Sequence, residues 1–154
     1  MAAKKKRSTT RSGTNLESLD LYTFFLDRAS ESTVLFDALL KIGAQVEKHR
    51  DHYTDNEDDA VWLPEVAANG WIIISQNQFN ELGRIALRNA GGRAFTIVHG
   101  DMKAEEEATM VIAALPKILR ILKATPAPFI ARIYNPKKIV LTSTEFRAHS
   151  KLSR

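Results

Sequence analysis

The chain has no cysteine, which excludes a disulfide scaffold, thiolate metal sites and a cysteine nucleophile together. No apolar run approaches the ~18 residues that a membrane span requires. No apolar segment follows Lys4-Lys5-Lys6-Arg7, so a secretory signal is not expected either, and the cytoplasm is the expected setting. A glycine-rich phosphate loop is also missing, because Gly91-Gly92 precedes a strand-like segment instead of a helix. His49, His52, His99 and His149 share no metal-ligand spacing and read as surface or supporting residues.

What is present starts with unevenly placed charge. The 154 residues carry 22 Lys plus Arg and 18 Asp plus Glu, a net of +4. Residues 1–13 hold Lys4, Lys5, Lys6, Arg7 and Arg11 with no acid, and residues 145–154 are also net basic. The body, 14–144, keeps 14 basic and 17 acidic residues and is net −3. A fold that grips nucleic acid by bulk charge usually shows a basic face throughout, so the body alone does not have that look. Residues 1–15 are polar and lack aromatics, a composition read as a disordered basic arm. A single domain is expected over 16–144, a common domain size, with 145–154 as a basic tail.

Hydrophobic patterning divides that domain. Leu19–Leu26, through Leu21, Tyr22, Phe24, Phe25 and Leu26, reads as a strand buried on both faces. Over 31–44, Val34, Leu35, Ala38, Leu39 and Ile42 form a helical stripe that ends at Gly43. A short strand is expected over Gln45–Lys48, and a helix through Trp62, Leu63 and Val66 to Asn69-Gly70. Trp71–Ile74 is the most strand-like segment. An amphipathic helix over 80–90 and a strand at Ala94–Val98 follow. A long helix over 103–123 should kink or restart at Pro116, and Phe129–Tyr134 with Lys138–Leu141 should close as a hairpin across Asn135-Pro136. Alternation of strand and helix four times over predicts an α/β fold, a mostly parallel sheet with helices on both faces.

In open sheets of this kind, ligands sit beyond the carboxyl ends of the strands. The residues there are Asp27-Arg28, Asp51-His52, Ser75-Gln76-Asn77 and His99-Gly100-Asp101, with Asp58-Asp59 opening the helix before strand three. Carboxylates gathered at one edge repel unless a cation lies between them, and oxygen ligands without cysteine suit Mg²⁺ or Mn²⁺. With a phosphodiester substrate, such a site activates water and stabilises the leaving oxygen.

Several segments carry a family resemblance in the same order along the chain: Phe24-Phe25-Leu26-Asp27-Arg28, the run Ala38–Val46, Asp59-Ala60-Val61-Trp62-Leu63-Pro64-Glu65-Val66, Gly70-Trp71-Ile72-Ile73-Ile74-Ser75, Ala114-Leu115-Pro116-Lys117-Ile118-Leu119 and Pro126-Ala127-Pro128-Phe129-Ile130-Ala131-Arg132. Together they resemble the toxin-type (VapC-like) PIN-like domains of the PilT N-terminal family, from about Leu21 to about Leu141. The resemblance implies a three-layer α/β/α fold, here with a C-terminal hairpin, and a Mg²⁺- or Mn²⁺-dependent ribonuclease, often the toxin of a toxin–antitoxin pair. It further implies an RNA substrate, an antitoxin protein as partner and a tendency to dimerise. Asp27 matches the family's first-strand acid, and Asp59 the acid three positions before the Trp-Leu-Pro. The family's third strand commonly runs into a Thr-Lys-Asp-like turn whose Asp is a metal ligand. Here the turn is Ser75-Gln76-Asn77, so an uncharged amide stands where the third carboxylate is expected.

The resulting expectation is Asp27, Asp59 and Asn77 as catalytic and metal-binding positions, Asp101 as a further candidate ligand, and Arg28 and Arg84 at the substrate phosphate, since arginine binds phosphate in a bidentate manner. Each has a plainer reading. Asp27 can cap a helix or pair with Arg28, Asp59 can cap the following helix, Asp51 and Asp101 can be solvated turn residues, and Arg84 with Arg88 can lie on a solvated helix face. Trp62 and Trp71 read as core. Two readings compete at the level of function: an active ribonuclease, or a catalytically degenerate PIN-like protein that binds RNA or protein because Asn77 weakens the metal site. A phosphoacceptor domain, which also gathers acids at strand ends, fits less well because Lys137-Lys138 fall in the expected hairpin.

Overall fold

A computed structural model describes residues 16–142 other than Ala29, Glu31, Asp55 and Gly100. The expected basic arm and tail lie outside the described residues. Among the described residues ten strands and α-helices follow one another: β1 Thr23–Leu26, α1 Thr33–Lys41, β2 Gln45–Lys48, α2 Asp59–Ala68, β3 Ile72–Ser75, α3 Glu81–Ala90, β4 Arg93–Ile97, α4 Ala104–Ala124, β5 Phe129–Asn135 and β6 Lys138–Leu141. They form one sheet in the order β2-β1-β3-β4-β5-β6. The first five strands are parallel, and β6 returns antiparallel on β5. This is the expected three-layer α/β/α arrangement with a closing hairpin.

Strand alternation divides the core between the two faces. Phe24 and Leu26 point with Ile72, Ile74, Phe95 and Ile97 to the side covered by α1 and α4. Phe25 points with Ile73 and Ala94 to the side covered by α2 and α3, where Trp62, Leu63, Val66 and Leu87 meet it. Both faces being covered explains why these strands are continuously apolar.

Local chemistry sets the helix limits. Ser32 caps α1 through its hydroxyl, which accepts from the Leu35 N–H at 3.1 Å, and Asn80 caps α3 by accepting from the Gly83 N–H at 2.9 Å. Gly91 ends α3 at φ 72°, a left-handed position where glycine carries no Cβ penalty. One expectation is corrected, and of the two alternatives at Pro116 one is excluded. Residues Leu19–Leu21 form a 3-10 turn in place of the start of a strand, because the Leu21 and Tyr22 N–H groups bond back to Ser18 and Leu19. No new helix starts at Pro116: α4 runs unbroken from Ala104 to Ala124. Proline removes one helical hydrogen bond, but Ala114, Leu115, Ile118 and Leu119 on either side are buried in the core and hold the segment helical. No helix among the described residues is long and apolar enough to cross a membrane.

Candidate active site

Asp27 is the residue after β1, and its backbone N–H continues the ladder by bonding to the Ile74 carbonyl of β3 at 3.0 Å. That placement drives its side chain into the sheet edge, where only 4% of the residue is exposed. Both carboxyl oxygens are engaged. Oδ1 accepts from the Arg28 N–H at 2.7 Å, and Oδ2 accepts from the Ser75 hydroxyl at 3.0 Å. Ser75 Oγ in turn accepts from the Asn77 N–H at 2.9 Å. One hydroxyl at the end of β3 thus holds both the first acid and the turn that carries Asn77. Burial pushes the Asp27 carboxyl above its ordinary range; the Arg28 N–H and Ser75 hydroxyl oppose this, while the Asp59 charge adds to it and His49 opposes it.

Asp59 is the first residue of α2, and the cap position belongs to Asp58, whose side chain makes no capping bond. The Asp59 carboxylate is thereby left for other partners. Its Oδ1 accepts from Trp62 Nε1 at 3.1 Å and lies 3.8 Å from Arg28 Nη2, with about a third of each charged side chain exposed. Such a pair is worth little to stability, but it places a guanidinium and a carboxylate side by side in the wall of a cleft of about 520 Å³. Arg28, Asn56, Asp58, Asp59, Asn80 and Leu82 are among its walls. The start of α3 forms the opposite wall and comes close: a Cβ on Gly83 would sit 3.3 Å from Asp59 Oδ2.

The other expected residues fall out differently. Asn77 is exposed at the turn after β3. Arg84 is half-buried and donates through Nη1 to the Phe79 carbonyl at 3.0 Å, securing the approach to α3. Asp101 is exposed before α4. No group of three acids or histidines able to hold a metal ion forms among the described residues. Trp62 is core, as expected, but is also the partner of Asp59. His49 is fully buried among Phe25, Tyr53 and Trp62, its ring 5.3 Å from the Trp62 ring, and His52 pairs with Glu47 at 2.8 Å.

One acid escaped the sequence reading. Glu107, in the first turn of α4, is 1% exposed, and burial raises its carboxyl against the opposing influence of Ser30 and Gln76. Its signal was its place on the apolar stripe that runs through Val111, Ala114, Ile118 and Leu122, with helical spacing throughout.

The PIN-like domain family matches residues 23–99, the span that holds Asp27, Asp59 and Asn77. The chain is also 30% identical over 128 residues to the "Putative ribonuclease VapC45" of Mycobacterium tuberculosis (strain ATCC 25618 / H37Rv), covering 79% of this chain and 91% of that protein. No solved structure matches significantly. The fold and both matches agree: the chain belongs to the PIN-like domain family, in its VapC-like, toxin-type branch.

Proposed function

We propose that this protein is a Mg²⁺- or Mn²⁺-dependent ribonuclease of the toxin type, cleaving RNA phosphodiester bonds with Asp27, Asp59 and Asn77 at its centre. The observation that carries the reading is the buried Asp27, tied through Ser75 to the Asn77 turn and within electrostatic reach of Asp59. The donor chemistry fits a hard divalent cation. Two carboxylates that repel each other gain from an intervening positive charge, each Asp27 oxygen keeps a lone pair beyond its one hydrogen bond, and Mg²⁺ is commonly held by one or two carboxylates with water and substrate phosphate completing the shell.

Asp27 and Asp59 would hold the ion, with the Asn77 amide oxygen as a neutral third donor. When bound, a divalent cation supplies charge for the developing phosphoryl oxyanion and acidifies a water. The protein's own groups do the positioning. Ser75 and the Arg28 N–H favour the ionised Asp27 carboxylate against its burial and fix its direction, Trp62 holds Asp59, and the Arg28 guanidinium would meet a phosphate at the cleft. The family also implies an antitoxin protein as partner.

Asn77 supports a second reading, a catalytically degenerate PIN-like protein that binds RNA or a protein partner without cleaving, because a neutral amide attracts a divalent cation less than a carboxylate. Titrating Mn²⁺ into the protein and into Asn77→Asp separates the two. Binding and RNA cleavage by both supports the nuclease; cleavage by Asn77→Asp alone supports the degenerate reading. Asp27→Ala should abolish Mn²⁺-dependent cleavage in the Asn77→Asp background, and undiminished activity there would overturn the assignment.

A further inference from the structure

The loops after β1 and β3 meet a third element from the far side. Glu107 lies in the first turn of α4, on the face that packs against α1 and the sheet. Ser30, which bonds back to the Asp27 carbonyl through its N–H at 2.8 Å, and Gln76, which stands between Ser75 and Asn77, are the two side chains that act on its carboxyl. Ser30 and Gln76 are themselves buried. The three residues thus complete a ring: Glu107 to Ser30 to Asp27, across the Asp27–Ser75 bond, and back through Gln76.

We propose that Glu107 is a positioning residue, whose carboxyl, wedged between Ser30 and Gln76, sets the spacing of the two loops that carry Asp27 and Asn77. The position argues against a purely structural role. It belongs to a stripe otherwise filled by Val111, Ala114, Ile118 and Leu122, and replacing buried ionic groups by well-packed apolar residues of similar volume is often neutral or stabilising. Among the described residues, Glu107 Oε2, Ser30 Oγ and Gln76 Oε1 have no hydrogen-bond partner, although Ser30 and Gln76 are both close enough to act on the carboxyl. Three buried polar atoms left this way are costly.

The spacing role itself needs no metal; its bearing on catalysis rests on the function proposed above, and the test keeps the two apart. The direct readout is hydrogen exchange, without metal, of the Arg28 and Asn77 amides, whose bonds to Asp27 Oδ1 and Ser75 Oγ report loop placement. Glu107→Leu should melt no lower than the parent, speed exchange at those two amides about tenfold or more, and leave Ile73 and Ile74 in β3 unchanged. Mn²⁺ affinity, by calorimetry in the Asn77→Asp background, should fall about 10- to 100-fold, as for other supporting partners of metal ligands. Glu107→Gln, which keeps shape and polarity, should stay within about threefold of the parent on both readouts.

Unchanged exchange at Arg28 and Asn77 in Glu107→Leu would overturn the proposal, as would equal acceleration throughout β3. Should Glu107→Leu not fold, Ser30→Ala is read in the same way, and the same two outcomes decide. If no variant binds Mn²⁺, the nuclease reading falls, while amide exchange still decides the role of Glu107.

Discussion

The indole Nε1 of Trp62 donates to Asp59 Oδ1 at 3.1 Å from one turn further along the same helix. A fully buried ring thereby fixes a carboxylate that is about a third exposed, and the rigidity of the core on the α2 side is passed to the wall of the cleft. Trp62→Phe removes the donor and part of the ring. It should cost about 1 to 3 kcal/mol in urea unfolding, and it should weaken Mn²⁺ binding by about tenfold. Stability lost with no change in metal affinity would show that Asp59 needs no such support.

Gly83 faces the same carboxylate from α3. An alanine there gains up to about 1 kcal/mol of helix propensity, but its methyl would lie 3.3 Å from both Asp59 Oδ2 and Phe79 Cβ and must push one of them aside. Gly83→Ala is therefore expected to change the melting temperature little and to lower RNA cleavage by about tenfold, since small misplacements of a reacting group are expensive in rate. Full activity would mean that Asp59 moves without consequence.

Ser75→Ala removes the donor to Asp27 Oδ2 and the acceptor of the Asn77 N–H together. The loss should be about 1.5 to 3 kcal/mol, the range for a hydrogen bond to a charged group. One of the influences holding the Asp27 carboxyl down disappears, so its ionisation moves to higher pH. The acid limb of the pH–activity profile should shift upward in the variant, and an unshifted limb would contradict the arrangement.

Asp27 and Glu107 also predict how stability varies with pH. Both carboxyls are raised in the folded protein, chiefly by burial, so in the window above the ordinary values of 3.8 and 4.5 the native state binds more protons than the unfolded chain. Stability from these two groups is therefore fully present below that window and is lost as pH rises through their folded values. In urea unfolding series across that range, Asp27→Asn should flatten the decline and raise stability at neutral pH while removing activity. A decline as steep as in the parent would show that Asp27 is not desolvated as described.

Much of the candidate site was legible in the sequence, for identifiable reasons. Phe24-Phe25-Leu26 reads as a buried strand, so Asp27 had to stand at a strand end. The Asp59–Trp62 pair lies at a helical i, i+3 spacing, a contact the helix itself supplies. Glu107 was not legible as a site residue because Glu105, Glu106 and Glu107 together look like the solvated, dipole-favoured start of a helix, although the capping role falls to Glu106, which accepts from the Lys103 N–H. The bond from Arg84 Nη1 to the Phe79 carbonyl was not legible, because it depends on how the loop before α3 folds back.

By itself the sequence determined the alternation of strand and helix and which residues stand at the carboxyl edge, because both follow from backbone periodicity, which is local. Only the tertiary structure decided which of those residues act together. Sheet order set β1 beside β3 and so put Ser75 on Asp27, the packing of α2 against α3 set Gly83 against Asp59, and the docking of α4 on α1 carried Glu107 to Ser30 and Gln76.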